Sequence, residues 1–205
     1  MYKHKKLIIF DLDGVLIDSI SNMEKALNST EKKVNIKLNF LEYKKYLGLP
    51  FKSIIKKIGV KRNFKKIEKY YKFFSKKKIS KILINKTHLN HLKKLNKNYD
   101  LAIFTSKDKK RTNLILKKYN LFKFIITADD IVNGKPDPEG ILKILKKNKS
   151  NKKDCLYVGD SVFDYKSAIN ARVNYCHVSW GYDQKLNKQK NIREINKLSE
   201  ITRFF

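Results

Sequence analysis

The spacing of apolar residues along the chain changes twice, and each change predicts a different kind of element. Lys6–Phe10 is a dense β-branched and aromatic run that ends at Asp11-Leu12-Asp13-Gly14, the pattern of a buried strand running into a turn. From about residue 19 to 97 the apolar positions recur every three or four residues. Residues 21–34, 40–47, 50–58 and 64–78 read as helices, punctuated by Gly48-Leu49-Pro50 and Gly59. Residues 87–98 read as a further helix, with Thr87 as N-cap and Leu89, Leu92 and Leu95 on one face. Beyond it short apolar strands return at residues 100–105, 122–127, 155–158 and 175–178. Helical segments at 109–119, 138–148 and 165–171 separate them.

Strands alternating with helices predict an α/β fold built on a doubly wound, Rossmann-like parallel sheet. The helical stretch between the first two strands is too long for a simple crossover. It is read as an inserted all-α subdomain over residues 19–85, leaving residues 1–18 and 86–205 to the α/β core. No internal repeat is present.

Composition narrows the class. A chain of 205 residues with 41% apolar and 12% aromatic residues can bury a real core and is not a disordered polar polymer. Seven Gly and three Pro exclude collagen-like and Pro/Gly-rich sequence. No apolar stretch approaches the ~18 residues of a membrane span. The apolar run after the basic start, Leu7-Ile8-Ile9-Phe10, is too short for a signal-peptide core. Two cysteines, Cys155 and Cys176, make no disulfide framework; they read as small core residues, and a reducing cytoplasm is the expected location.

Lys and Arg number 48 against 19 Asp and Glu, a formal charge of +29 with an isoelectric point near 10.0. That is the usual first cue for a nucleic-acid partner. Two features count against it. Only five of the basic residues are Arg (Arg62, Arg111, Arg172, Arg193, Arg203), and the planar Arg fork is what phosphate and base readout favour. The Lys residues are spread along the chain, which is also rich in Ile, Asn, Tyr and Phe, residues with A/T-rich codons. The excess is therefore read as a compositionally biased surface with a mild pull on small anions, not as a nucleic-acid face.

The sparse acidic residues carry more. Asp11 and Asp13 follow the first strand, Asp160 and Asp164 the fourth, while Thr105-Ser106 and Lys135 follow the second and third. Ligands of an open parallel sheet bind beyond the carboxyl ends of its strands, so all seven residues converge on one edge. Four carboxylates gathered there repel one another without a cation, and such oxygen ligands suit Mg²⁺.

These residues sit in four segments: Phe10-Asp11-Leu12-Asp13-Gly14-Val15, Thr105-Ser106-Lys107, Gly134-Lys135-Pro136-Asp137-Pro138, and Gly159-Asp160-Ser161-Val162-Phe163-Asp164. In order and spacing they resemble the four motifs of the haloacid dehalogenase superfamily of phosphohydrolases. Within it, Gly48-Leu49-Pro50, Ala128-Asp129-Asp130-Ile131, the Lys135–Pro138 run and the stretch from Val178 to Tyr182 are similar to the phosphoglycolate phosphatase-like group. That group carries a helical cap where the insertion falls here.

The resemblance implies an Mg²⁺-dependent phosphatase acting on a small phosphorylated metabolite. Asp11 would be the nucleophile that forms an aspartyl-phosphate, and Asp13 the acid and base. The Asp11 carboxylate, the Asp13 backbone carbonyl and Asp160 would hold the metal. Thr105, Ser106 and Lys135 would bind the phosphoryl group, and Asp164 would act from behind through Lys135 or metal-bound water. The dehalogenase branch lacks the second Asp, so Asp13 argues for phosphate-ester chemistry. Leu49, Pro50, Phe51 and Lys52 are the expected substrate-facing cap residues. A β-phosphoglucomutase-type mutase and a pyrophosphatase share these motifs and stay open. A basic nucleic-acid binder on an inactive scaffold is the reading from another class, and the intact motif residues argue against it. The protein is expected to be a monomer or weak dimer.

Some residues get plainer readings. Asp164 also suits an N-cap for the helix that follows, and Asp137 a Pro-flanked turn. His88 and His91 show no ligand spacing, and Trp180 is expected to pack beside the site. Arg172 stands where the group usually has Gly, and residues 82–86 lack its usual Pro-Gly.

Overall fold

The computed structural model describes residues 5–183, 186 and 192–205. Six strands form one parallel sheet: β1 (Lys6–Phe10), β2 (Tyr99–Phe104), β3 (Phe124–Ile126), β4 (Cys155–Gly159), β5 (Asn174–Val178) and β6 (Glu194–Ile195), in the order β3-β2-β1-β4-β5-β6. The chain builds outward from β1 in one direction, then returns to the other side of it. The reversal leaves a crevice between the carboxyl ends of β1 and β4, where such sheets bind ligands.

The apolar runs are dense because both faces of the sheet are covered. Ile8 and Phe10 point into one core layer with Leu101, Ile103, Leu156 and Val158. Leu7 and Ile9 point into the other with Ala102, Phe104, Cys155 and Tyr157. All of these are essentially inaccessible to solvent. The helices covering the sheet are α5 (Lys86–Asn98), α6 (Lys109–Leu116), α7 (Glu139–Asn148) and α8 (Val162–Ala171).

Between β1 and β2 lie α1 (Ile20–Val34), α2 (Phe40–Lys44), α3 (Phe51–Lys57) and α4 (Phe64–Lys76). Their apolar faces close on a separate cluster that includes Leu27, Tyr43, Ile54, Ile55, Ile67 and Tyr71. The packing changes sides soon after α4: Ile79, Ile82 and Ile84 belong to the sheet's own core.

Several boundaries differ from the sequence reading for local reasons. Helix α5 starts one residue early because Asn85, not Thr87, is the N-cap; its side chain accepts the His88 N–H at 2.7 Å. Helix α2 stops at Lys44, and the chain then turns into Gly48 at φ +101°, a conformation that suits Gly. Helix α8 begins at Val162 because Ser161 and Asp164 form a capping box. Asp164 is thus the third helical residue of that box and not the N-cap. Strand β6 was not anticipated, since a two-residue pairing leaves no periodic signal.

Candidate active site

Asp11 is the first residue past β1. Its N–H donates to the Val158 carbonyl at 2.9 Å, which fixes it against the end of β4. Asp160 follows β4 directly. Gly14 lies between them at φ +85°, and a Cβ there would overlap the Asp160 carboxylate, so only Gly allows this approach. The Asp160 Oδ2 accepts the Tyr182 N–H at 2.7 Å.

Lys135 is fully buried, with Nζ 2.6 Å from Asp11 Oδ1 and 2.7 Å from Asp164 Oδ1. Its ammonium also stands 5.0 Å from the centroid of the Phe104 ring and 5.6 Å from that of Tyr157. Asp164 is saturated: besides Lys135 it accepts the Tyr157 hydroxyl at 2.6 Å, and the Ser161 N–H and hydroxyl at 3.1 and 2.6 Å. By contrast, among the described residues no donor reaches Asp11 Oδ2 or Asp160 Oδ1.

Thr105 is buried just past β2, and its Oγ1 accepts the Lys107 N–H at 3.2 Å, leaving its own proton to donate. The Ser106 hydroxyl donates to the Gly48 carbonyl at 2.6 Å and so is committed to the helical insertion. Asp13 is held by Lys107 Nζ at 3.0 Å and by the Ser19 hydroxyl.

Charge is poorly balanced here. Burial, with Asp164 and Asp13 nearby, pushes Asp11 up to about 7 against the opposing pull of Lys135. Asp160 is pushed well above the usual carboxylate range by burial and then by Asp164 and Asp11. Asp164 goes the other way: burial would raise it, but Lys135 and its hydrogen bonds hold it low. Burial would also lower Lys135, yet Asp11 and Asp164 outweigh that and hold the ammonium above its ordinary value. Carboxylate oxygens of Asp11, Asp160 and Asp164 lie within 4.8 Å of one another, and this cluster can hold a metal ion. The two oxygens without donors and the raised Asp11 and Asp160 suit a bound cation there.

The site opens into a cleft of about 1700 Å³ between the sheet edge and the helical insertion. Asp11, Asp13, Thr105, Ser106 and Asp160 line it from the core. Of the four expected cap residues, Leu49 and Phe51 line it, with Phe51 stacked 4.4 Å from Tyr71. Pro50 packs on Gly134, and Lys52 Nζ stands 5.9 Å from the Phe64 ring centroid.

The sequence reading did not assign roles to Lys107, Ser19 or Tyr182. Lys107 adjoins Thr105-Ser106 but is hidden by the abundance of Lys; Ser19 and Tyr182 meet Asp13 and Asp160 only through the fold. The Tyr182 hydroxyl accepts the Ser19 N–H at 2.8 Å and donates to Asp18 at 3.1 Å. Trp180 is among the residues lining the cleft, donates to the Val15 carbonyl at 3.0 Å and lies 5.1 Å from His88. Asp137 caps its own turn by accepting the Glu139 N–H at 2.9 Å. Cys155 and Cys176 are buried and unpaired. Among the described residues no helix is long and apolar enough to cross a membrane.

A parallel six-stranded sheet with paired carboxylates and a buried lysine at its reversal point defines a doubly wound α/β enzyme. The haloacid dehalogenase-like hydrolase family matches residues 8–178, and the chain belongs to it. It is 30% identical over 195 residues to a phosphoglycolate phosphatase of Aquifex aeolicus, covering 90% of this chain and 89% of that protein. It is 27% identical over 179 residues to the pyrophosphatase PpaX of Oceanobacillus iheyensis, covering 85% of this chain and 84% of that one. A hydrolase of Pseudomonas syringae has the same fold, with a TM-score of 0.83 at 24% identity and 97% of each chain covered.

Proposed function

We propose that this enzyme is an Mg²⁺-dependent phosphatase that hydrolyses a small-molecule phosphate monoester, such as a phosphoglycolate-like compound or a sugar phosphate. The observation that carries the reading is the Asp11–Lys135–Asp164 arrangement: one buried ammonium braces a carboxylate that lines the cleft and whose second oxygen meets no donor among the described residues. An anionic nucleophile aimed at an anionic phosphate needs that charge compensation. The relatives named as phosphatases support the reaction class.

The Asp11 and Asp160 carboxylates and the Asp13 backbone carbonyl would hold Mg²⁺, which when bound supplies positive charge to the phosphoryl oxygens. Asp164 is the weaker ligand despite its proximity, since Lys135, Tyr157 and Ser161 already occupy its oxygens. The Asp11 carboxylate attacks phosphorus and forms the aspartyl-phosphate, while Asp13 gives its proton to the departing ester oxygen. Asp13 then takes a proton from the water that hydrolyses the intermediate. Thr105 and the Ser106 backbone donate to the phosphoryl oxygens, and Lys135 offsets their charge. Residues 19–85 act as the cap, closing over the cleft and excluding bulk water. The substrate is a small metabolite, and the protein works in the cytoplasm as a monomer or weak dimer.

The test is phosphate release from a panel of monoesters and from pyrophosphate, with Mg²⁺ and with chelator. Release that requires Mg²⁺ and is lost in Asp11→Asn is expected. Unchanged activity in Asp11→Asn sinks the mechanism. Interconversion of hexose phosphates without net release points instead to a mutase, and cleavage of pyrophosphate alone to a pyrophosphatase.

A further inference from the structure

Arg111 is one of five arginines in the chain and the only one that is buried. It sits in the first turn of α6, where the helix leaves the catalytic edge, and it lines the same cleft as Asp11 and Thr105. Its Nε donates to Asp108, the N-cap of that helix, and its Nη1 donates to Ser75 of α4 at 3.1 Å. The guanidinium lies 5.2 Å from the centroid of the Tyr71 ring. Nothing in the proposed chemistry uses this group.

Two donors remain unspent at this point. Among the described residues Nη2 of Arg111 has no hydrogen-bond partner, and it is not among the sealed-off polar atoms. Beside it the Tyr43 and Tyr71 hydroxyls share one hydrogen bond of 3.4 Å, so one hydroxyl proton of the pair is left over. Both tyrosines line the cleft as well. The lysines around the cleft carry no argument, because Lys is abundant everywhere in this chain. A desolvated guanidinium anchored on two sides, stacked on an aromatic ring and still offering N–H groups is a different matter. Such a fork suits a planar or tetrahedral oxyanion. No acidic residue of α1 to α4 lines the cleft to compete for it.

We propose that Arg111, with the Tyr43–Tyr71 pair, is a specificity subsite for a second anionic group, a carboxylate or phosphate, on the far end of the phosphate ester. The assignment rests on the phosphatase reading and narrows its substrate class to esters that carry two separate anionic groups. Binding at Arg111 would place the substrate's remote end against the insertion while its phosphate sits at Asp11.

The experiment has two arms. Arginine 111 is changed to Gln and to Lys, and Tyr71 to Phe, which keeps the ring and removes the hydroxyl. Steady-state kinetics compare a phosphorylated hydroxy acid with p-nitrophenyl phosphate. The expected result for Arg111→Gln is a rise in KM of about tenfold or more for the hydroxy-acid ester, with kcat/KM for p-nitrophenyl phosphate within about twofold of wild type. Tyr71→Phe shifts the same ratio in the same direction by less. If Arg111→Gln does not fold, Arg111→Lys, which keeps the charge but loses the fork, carries the comparison. Equal losses on both esters, or none on either, overturn the subsite. The second arm is calorimetry with 3-phosphonopropionate and propylphosphonate, which needs no turnover. If the wild type cleaves no ester, the phosphatase reading fails, and the subsite is judged by this arm. It stands if Arg111→Gln weakens only the carboxylate-bearing ligand, and falls if both weaken alike, neither changes, or neither binds the wild type.

Discussion

Ser106 and Gly48 join the α/β core to the helical insertion: the Ser106 hydroxyl at the end of β2 donates to the Gly48 carbonyl at 2.6 Å, across 58 residues of chain. Gly48 also sits against the start of α8, where a Cβ on it would press on the Ser161 hydroxyl. The Ser106–Gly48 bond is one of several hydrogen bonds between the core and residues 19–85, with Arg111 on Ser75 another. Ser106→Ala is expected to cost about 1 kcal/mol and to lower Tm by about 2–4 °C. If the insertion closes over the substrate as proposed, it is also expected to raise KM for the ester more than it lowers kcat, since one of the bonds holding the insertion to the core is lost. An unchanged KM in a destabilised variant would mean the bond serves packing only.

Lys135 is the only cation in direct contact with Asp11 and Asp164 among the described residues. Lys135→Met removes the charge while keeping the volume, and leaves two buried carboxylates facing each other. Loss of one partner from such a buried set costs about 3–5 kcal/mol. Phosphate release should fall by at least about a hundredfold. Adding Asp11→Asn to Lys135→Met should recover part of the lost stability, and a double-mutant cycle on denaturant midpoints measures it. Additive effects would show that the pair is not coupled.

How legible these features were in the sequence depends on how local their signals are. Strands β1, β2 and β4 could be placed because strands covered on both faces are dense apolar runs, and Asp11, Asp13, Thr105 and Asp160 could be placed because they follow those runs immediately. Lys135 stood out by its Gly-Lys-Pro-Asp-Pro setting, although nothing in that setting tells that its ammonium reaches Asp11, 124 residues away. Contacts that exist only in three dimensions left no trace: the Tyr182 N–H on Asp160, the Ser19 hydroxyl on Asp13, and Arg111 on Ser75. Asp164 was legible as a helix-start residue and as a site residue, and the capping box with Ser161 explains why it is both.

Asp11 and Asp160 give the metal-free protein a distinct pH dependence. Each is raised in the folded chain, so each favours folding when protonated. For Asp11, raised from 3.8 to about 7, that stabilisation is complete below the unfolded value and is lost as pH rises through about 7. Asp160 acts in the same direction. If these carboxylates hold Mg²⁺ as proposed, the ion has to displace their protons, so its stabilising effect should grow over the same window. Melts in chelator and in saturating Mg²⁺, at about pH 5.5 and about pH 8, should show the larger Mg²⁺-dependent rise in Tm at the higher pH. His88, lowered by burial, acts oppositely near its ordinary value but equally in both arms. An equal Mg²⁺ effect at both pH values would exclude these carboxylates as the ligands.

Lys107 holds Asp13 in place: its Nζ lies 3.0 Å from the Asp13 carboxylate and only 5% of its side chain is exposed. Lys107→Met should leave the carboxylate with the Ser19 hydroxyl as its remaining partner. If Asp13 is the acid and base as proposed, misplacing it by a fraction of an ångström is expected to lower kcat by about ten- to a hundredfold with little change in KM. Esters with good leaving groups need less proton donation and should be affected least, so the loss should be smaller for p-nitrophenyl phosphate than for an alkyl phosphate. A uniform loss across leaving groups would refute the orienting role.

Arg172 closes α8 at φ +58°, the left-handed position where a side chain is strained and Gly is not. Its side chain is exposed, and the closure depends on its backbone: the N–H donates to the Ile169 carbonyl at 2.9 Å, a bond that any residue but Pro can make. Arg172→Gly should relieve the strain but enlarge the freedom of the unfolded chain, for a net gain of about 0.5–1 kcal/mol and a Tm higher by about 1–4 °C. Arg172→Ala keeps the Cβ and should gain nothing, which separates backbone strain from loss of the charge. Activity should match the wild type in both, because the turn from α8 into β5 lies at the end of the sheet opposite the carboxylates. If both substitutions lower stability, the Arg172 side chain contributes something that the backbone geometry does not explain.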